Sequence, residues 1–157
     1  MSFNMSSSTL STLEKNLGYT FNNKELLVTA LTHKTYAYEA TTPIEYNERL
    51  EFLGDSVLDI IIAEQLYQSN RWFSEGELTR RKVMMVNNKL LAEIAKTRRI
   101  GKYLRLGKGE QKQQGKKKNS LLANTLEAII GAIYLDAGLE RTREFILRTI
   151  VDDTTRK

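Results

Sequence analysis

The segment Asn47-Glu48-Arg49-Leu50-Glu51-Phe52-Leu53-Gly54-Asp55 opens a long apolar run, Ser56 to Tyr67, and the pair constrains this chain more than any other feature. No proline interrupts it and good helix formers surround it, so it is expected to be helical. On a helix, Glu48, Glu51 and Asp55 fall at i, i+3 and i+7 and share one narrow face. Three acids on a helix that is otherwise nearly apolar all round repel one another and resist burial unless something positive offsets them. Hard oxygen ligands of this kind select Mg²⁺ or Mn²⁺.

A second acidic element follows far down the chain, in Ser120-Leu121-Leu122-Ala123-Asn124-Thr125-Leu126-Glu127-Ala128-Ile129-Ile130-Gly131-Ala132. Asn124 and Glu127 are spaced i, i+3 and face one way. Ala128, Gly131 and Ala132 are small enough to let another helix approach closely. If the two helices pack side by side, four oxygen-bearing side chains converge: Glu51, Asp55, Asn124 and Glu127.

The nine-residue block resembles the signature of the ribonuclease III family, endonucleases that cut double-stranded RNA, and the Ala123-to-Gly131 segment is similar to that family's second metal-binding helix. Ala30-Leu31-Thr32-His33-Lys34-Thr35 and Glu75-Gly76-Glu77-Leu78 match in the expected order, and the resemblance runs from about Leu10 to Val151. It implies an all-α catalytic domain, a helical bundle that forms a homodimer. It also implies a metal site of Glu51, Asp55, Asn124 and Glu127 that takes Mg²⁺, with Mn²⁺ as a substitute. Asp55 and Glu127 would act in catalysis, with Glu48 and Glu75 supporting them along the catalytic valley. Phe52, by composition a core residue, would instead be a knob in a socket of the partner subunit. Each subunit would cut one strand of a duplex, leaving 5′-phosphate and 3′-hydroxyl ends and a short 3′ overhang.

One position departs from the family pattern, which has an aspartate where this chain has Asn124. An amide oxygen can approach a metal but brings no negative charge and cannot act as a base. The loss weakens metal binding and attenuates hydrolysis. Asn124 marks either a naturally attenuated member or, the reading favoured here because the other acids are intact, a deliberate replacement that traps an uncleaved complex. The competing functional class is a catalytically inactive RNA-binding or scaffold protein of the same fold. A four-carboxylate di-iron bundle is excluded, because it needs Glu-x-x-His on two helices.

Composition agrees with a polyanionic substrate. The 157 residues suffice for one domain with a sizeable core, and the net charge is +5 although the best motifs are acidic. There is no cysteine, hence no disulfide and no thiolate metal site, which is compatible with a cytoplasmic location and leaves an organelle open. No run reads as long and apolar enough to span a membrane, since Asp59 interrupts Val57–Ala63, and the start is not a secretory signal.

The hydrophobic period is helical almost throughout. A first helix with Leu10, Leu13 and Leu17 should end at Gly18, and Asn22 or Asn23 should cap a second. Tyr38 to Pro43 should form a loop. Further helices are expected over about Ile44–Ser69, Glu75–Met85, Asn87–Arg98, Ser120–Ala137 and Leu139–Val151. Residues 1–9 read as a flexible leader, 10–151 as the catalytic domain and 152–157 as a short tail. The double-stranded-RNA-binding domain that follows in the family is therefore not expected here, which would make binding weaker and more salt-sensitive. The segment from Leu106 to Asn119 reads as a mobile loop too polar to pack, whose Lys108, Lys112, Lys116, Lys117 and Lys118 could grip RNA phosphates. Arg80, Arg81 and Lys82 could serve similarly. Asp59 reads as structural, His33 as a hydrogen-bonding residue near a helix end, and Trp72 as an anchor under a turn.

Overall fold

A computed structural model describes residues 5–151. Residues 1–4 of the expected leader and the expected tail, 152–157, lie outside the described residues. Among the described residues the fold is all-α, with an isolated parallel bridge between Thr32 and Arg105 and no strand.

Helix α1 (Ser7–Leu17) starts inside the expected leader, because the Ser6 side chain accepts from the Thr9 N–H and caps it. It ends at Gly18, whose φ of 68° is the left-handed conformation that glycine enters without strain. Asn23 caps α2 (Lys24–Ala30) through the Glu25 N–H. The turn before α2 is tied down twice. Buried Glu14 accepts from the Phe21 N–H at 2.7 Å and pairs with Lys24. Asp136 accepts from Tyr19 Oη at 2.7 Å and from the Asn22 and Asn23 N–H groups at 2.9 and 2.8 Å.

A short helix the sequence reading did not anticipate, α3 (Lys34–Tyr38), follows with His33 as its cap. The signature helix α4 (Glu48–Ser69) begins four residues later than expected. Asn47 is buried and donates its N–H to the Thr32 carbonyl at 2.9 Å, which keeps the approach to α4 non-helical. Helices α5 (Glu75–Val86) and α6 (Asn88–Thr97) are capped by Ser74 and Asn87. A 3₁₀ turn, Ile100–Tyr103, leads to α7 (Lys108–Lys112), a second 3₁₀ turn at Gly115–Lys117, and α8 (Asn119–Ile146). Gly138, at φ 79° and ψ −177°, breaks α8 where the sequence placed a boundary, and a π-helical turn, Leu147–Val151, closes the described chain.

The supposed loop at 106–119 is a correction. Leu106 and Gly115 are buried, and Glu110 and Lys118 pair at 2.6 Å, so the segment folds onto the domain despite its polarity. A second correction concerns the apolar run. The helical segment Asn119–Val151 is long and apolar enough, by length and composition, to cross a membrane, but 61% of its most apolar window is buried inside the domain. It is the central core helix. Leu122, Ala123, Leu126 and Ala128 to Ile133 are all buried, as a helix apolar on every side demands, and α8 packs against α4, α6 and α2. Leu58, Ile61, Ile62, Leu91, Ile100 and Phe145 fill the space around it.

Candidate active site

Helix α4 is likewise apolar nearly all round, and it meets α8 through two glycines. A Cβ on Gly54 would lie 1.7 Å from the Glu127 carbonyl oxygen, and one on Gly131 would lie 2.2 Å from the Leu50 carbonyl oxygen. The helices therefore touch backbone to backbone at this crossing. Glu51 and Asp55 flank Gly54 on one side, and Asn124 and Glu127 precede Gly131 on the other, so all four are drawn to one place. The small residues of α8 were legible as a close-approach surface. Gly54 was not singled out, although a glycine in mid-helix, costing roughly 0.5–1 kcal/mol against alanine, was a usable signal.

The electrostatics follow from that crossing. Glu127 is buried at 9% exposure, and its carboxyl is pushed up to about 7, first by burial and then by the charges of Asp55, Glu51 and Asp59. Burial and then Glu48 also push Glu51 up, and a hydrogen bond from Asn124 partly opposes the shift. A carboxylate only accepts, so the Asn124 amide is the donor. Among the described residues no cation forms an ion pair with Glu51, Asp55 or Glu127. No three His, Cys, Asp or Glu side chains among the described residues stand close enough as they are to hold an ion. The donor set nevertheless fits a hard divalent cation: three carboxylates and an amide oxygen, on two helices locked together, short of positive charge.

The other expected site residues are not all drawn in. Glu48 is held at the edge of the cluster by Lys34 at 2.9 Å, a partner the sequence reading missed. Glu75 accepts from Thr79 Oγ1 at 2.8 Å on its own helix and makes no contact with the trio. Asp59 pairs with Lys82 at 3.0 Å, tying α4 to α5, in line with a structural role. Arg80 and Arg81 both bind Glu77, at 2.8 and 2.6 Å, and so are not free cations. His33 Nδ1 contacts Thr35 Oγ1 at 2.8 Å, and burial holds the ring below its ordinary pKa, which suits a capping residue. Trp72 is no anchor under a turn: it is 80% exposed, with Arg71 stacked 4.7 Å from its ring centroid. Phe52 is 78% exposed rather than core. Of the five lysines, Lys118 is taken by Glu110, while Lys108, Lys112, Lys116 and Lys117 face solvent.

Comparison with known proteins decides the family. The profile of the family described as Ribonuclease-III-like matches residues 23–154. The chain belongs to the ribonuclease III family. It is 46% identical over 140 residues to Ribonuclease 3 of Clostridium kluyveri, covering 89% of this chain and 57% of that protein. With Ribonuclease 3 of Coxiella burnetii it shares 51% identity over 138 residues, 88% of this chain and 57% of the relative. The chain thus spans somewhat over half the length of these relatives. Among solved structures it is similar to the nuclease domain of ribonuclease III from Campylobacter jejuni, a structure concerned with flexibility in the region involved in dimer formation. The TM-score there is 0.86 at 40% identity, over 93% of this chain and 99% of that one. The bundle described above is therefore a ribonuclease III nuclease domain.

Proposed function

We propose that this chain is the catalytic part of an endoribonuclease that cuts double-stranded RNA as a homodimer, and that Asn124 attenuates it. The observation that carries the reading is the backbone crossing at Gly54 and Gly131, which gathers Glu51, Asp55 and Glu127 with no cation paired to them.

Mg²⁺, or Mn²⁺ in its place, would supply a Lewis acid there, able to acidify water and offset charge on the 3′ leaving oxygen. Glu51, Asp55 and Glu127 would hold it. Glu127, whose carboxyl burial and the neighbouring acids push up to about 7, would have to be deprotonated to act as a ligand. Asn124 would present a neutral oxygen in place of a carboxylate, so its contribution is reduced. Glu48, oriented by Lys34, stands at the edge of the acidic cluster, beside which a scissile strand would pass. The products would be 5′-phosphate and 3′-hydroxyl ends with short 3′ overhangs, one cut per subunit.

Dimerisation is supported by the one apolar face of α4 that the chain leaves uncovered. Phe52, Ile60 and Tyr67 are 78%, 60% and 74% exposed and fall within an arc of about 80° on the helix. Beside Phe52 lies a groove of about 980 Å³ whose apolar lining includes Leu26, Tyr46, Leu50, Leu53 and Leu135, with Glu25, Glu45, Glu48 and Arg49 also lining it, a socket in which a partner's phenylalanine would sit reciprocally.

The second reading, an RNA-binding scaffold that does not cut, is favoured by one observation: the Asn124 amide offsets part of the charge on Glu51 without any metal. Cleavage of a labelled RNA duplex in Mg²⁺, comparing this chain with Asn124→Asp, separates the two. We expect the aspartate form to cut faster by on the order of 10–100-fold or more. If both forms bind the duplex and neither cuts it, the scaffold reading stands and the nuclease reading falls.

A further inference from the structure

A cationic groove lies on another side of α8. Lys96 at the end of α6, Arg99 and Lys102 around the first 3₁₀ turn, and Lys116 and Lys117 in the second line a depression of about 660 Å³, with Gly101 and Leu122 at its floor. All five cations are exposed, and no lining residue is acidic. Lys96 leans back on Glu93 at 2.8 Å, whereas Arg99, Lys102 and Lys117 form no ion pair within the described residues.

The backbone holds this group together at a cost. Arg99 and Gln114, the residues that enter the two 3₁₀ turns, adopt φ of 58° and 57°, a left-handed conformation that non-glycine residues rarely take. The turns are pressed face to face, since a Cβ on Gly101 would lie 2.4 Å from the Lys116 carbonyl oxygen. Neighbouring like charges repel, so a fold that strains its backbone to set Arg99, Lys102, Lys116 and Lys117 side by side with no carboxylate paired to them is complementary to an anion of several charges. Leu122 lies about 200° around α8 from Asn124, so the groove lies away from the acidic cluster.

We infer that this groove is a separate phosphate-binding site that takes the backbone of an RNA strand away from the scissile position. The inference rests on the duplex-RNA reading above and adds Lys96, Arg99 and Lys102, on α6 and the turn after it, to the surface. It also divides the lysine-rich segment: Lys116 and Lys117 serve the groove, while Lys118 is engaged by Glu110.

The test is equilibrium binding of a short RNA duplex across a range of KCl without divalent cation, comparing the unaltered chain with the triple variant Arg99→Gln, Lys102→Gln, Lys117→Gln. Each phosphate contact contributes about 0.9 to the slope of log affinity against log salt. The triple variant should therefore lose about 2 to 3 from that slope and bind at least about tenfold more weakly at low salt. Single variants Arg99→Gln and Lys102→Gln should each remove about 1. The triple variant should melt no lower than the parent, because repulsion has been relieved. An unchanged slope in a folded variant, with the parent still binding, overturns the groove and leaves the duplex-RNA reading intact. A parent that binds no duplex at any salt removes that reading and the groove with it.

Discussion

Glu127 carries a proton in the folded, metal-free protein that the unfolded chain releases near 4.5, because burial and three neighbouring acids push its carboxyl up to about 7. The folded state binds more protons between those values, so stability falls as pH rises through that window and levels off above it. We expect loss on the order of 2 kcal/mol after allowing for screening at the open cleft, read from urea unfolding at a series of pH values in EDTA. Glu127→Gln should flatten the profile and abolish cleavage; a profile unchanged by the variant would assign the loss to other groups. Asn124→Asp works the other way, removing the donor to Glu51 and adding a fourth charge. In EDTA it should melt lower than the parent, and millimolar Mg²⁺ should raise its Tm by more than it raises the parent's. The acids themselves were legible because i, i+3 spacing survives folding unchanged. The Lys34 partner of Glu48 and the amide donor to Glu51 were not, since both depend on side-chain reach between segments far apart in sequence.

At the level of elements, two glycines set how near α4 and α8 come. Gly54→Ala would drive a methyl into the Glu127 carbonyl, a backbone atom that cannot rotate away, so the helices must separate. The expected cost is about 3 kcal/mol or more in urea unfolding, with cleavage lost in proportion to the displaced acids. Gly76→Ala is the control: nothing lies within 4 Å of its added Cβ, and α5 should gain up to about 1 kcal/mol. Most helices could be read from apolar periodicity, and their ends from Gly18, Asn23 and Gly138. Composition misled at 106–119, where lysine, glycine and glutamine suggested a loop. Leu106 plugs into the core there, and the Glu110–Lys118 pair closes the segment on itself. Trp72 misled in the opposite direction, because a lone tryptophan is usually buried and this one is held outward over Arg71.

For the whole molecule, α4 leaves Phe52, Ile60 and Tyr67 exposed, and in the dimer proposed above a second copy would cover them. Phe52→Arg should shift sedimentation from dimer to monomer at micromolar concentration, leave the helical circular dichroism unchanged and reduce duplex cleavage. A Phe52→Arg protein that still sediments as a dimer would remove Phe52 from the interface. The crossing of α4 and α8 also bears on how the molecule opens. Carbonyls and amides pressed together at Leu50, Gly54, Glu127 and Gly131 have no side chain between them that could loosen first. Amide hydrogens on either side of the crossing should therefore exchange with deuterium only when the entire domain opens, at one common rate. The acidic cluster, unlike a site carried on loops, would then have no partly melted form: each molecule keeps the backbone positions of Glu51, Asp55, Asn124 and Glu127 together or loses them together.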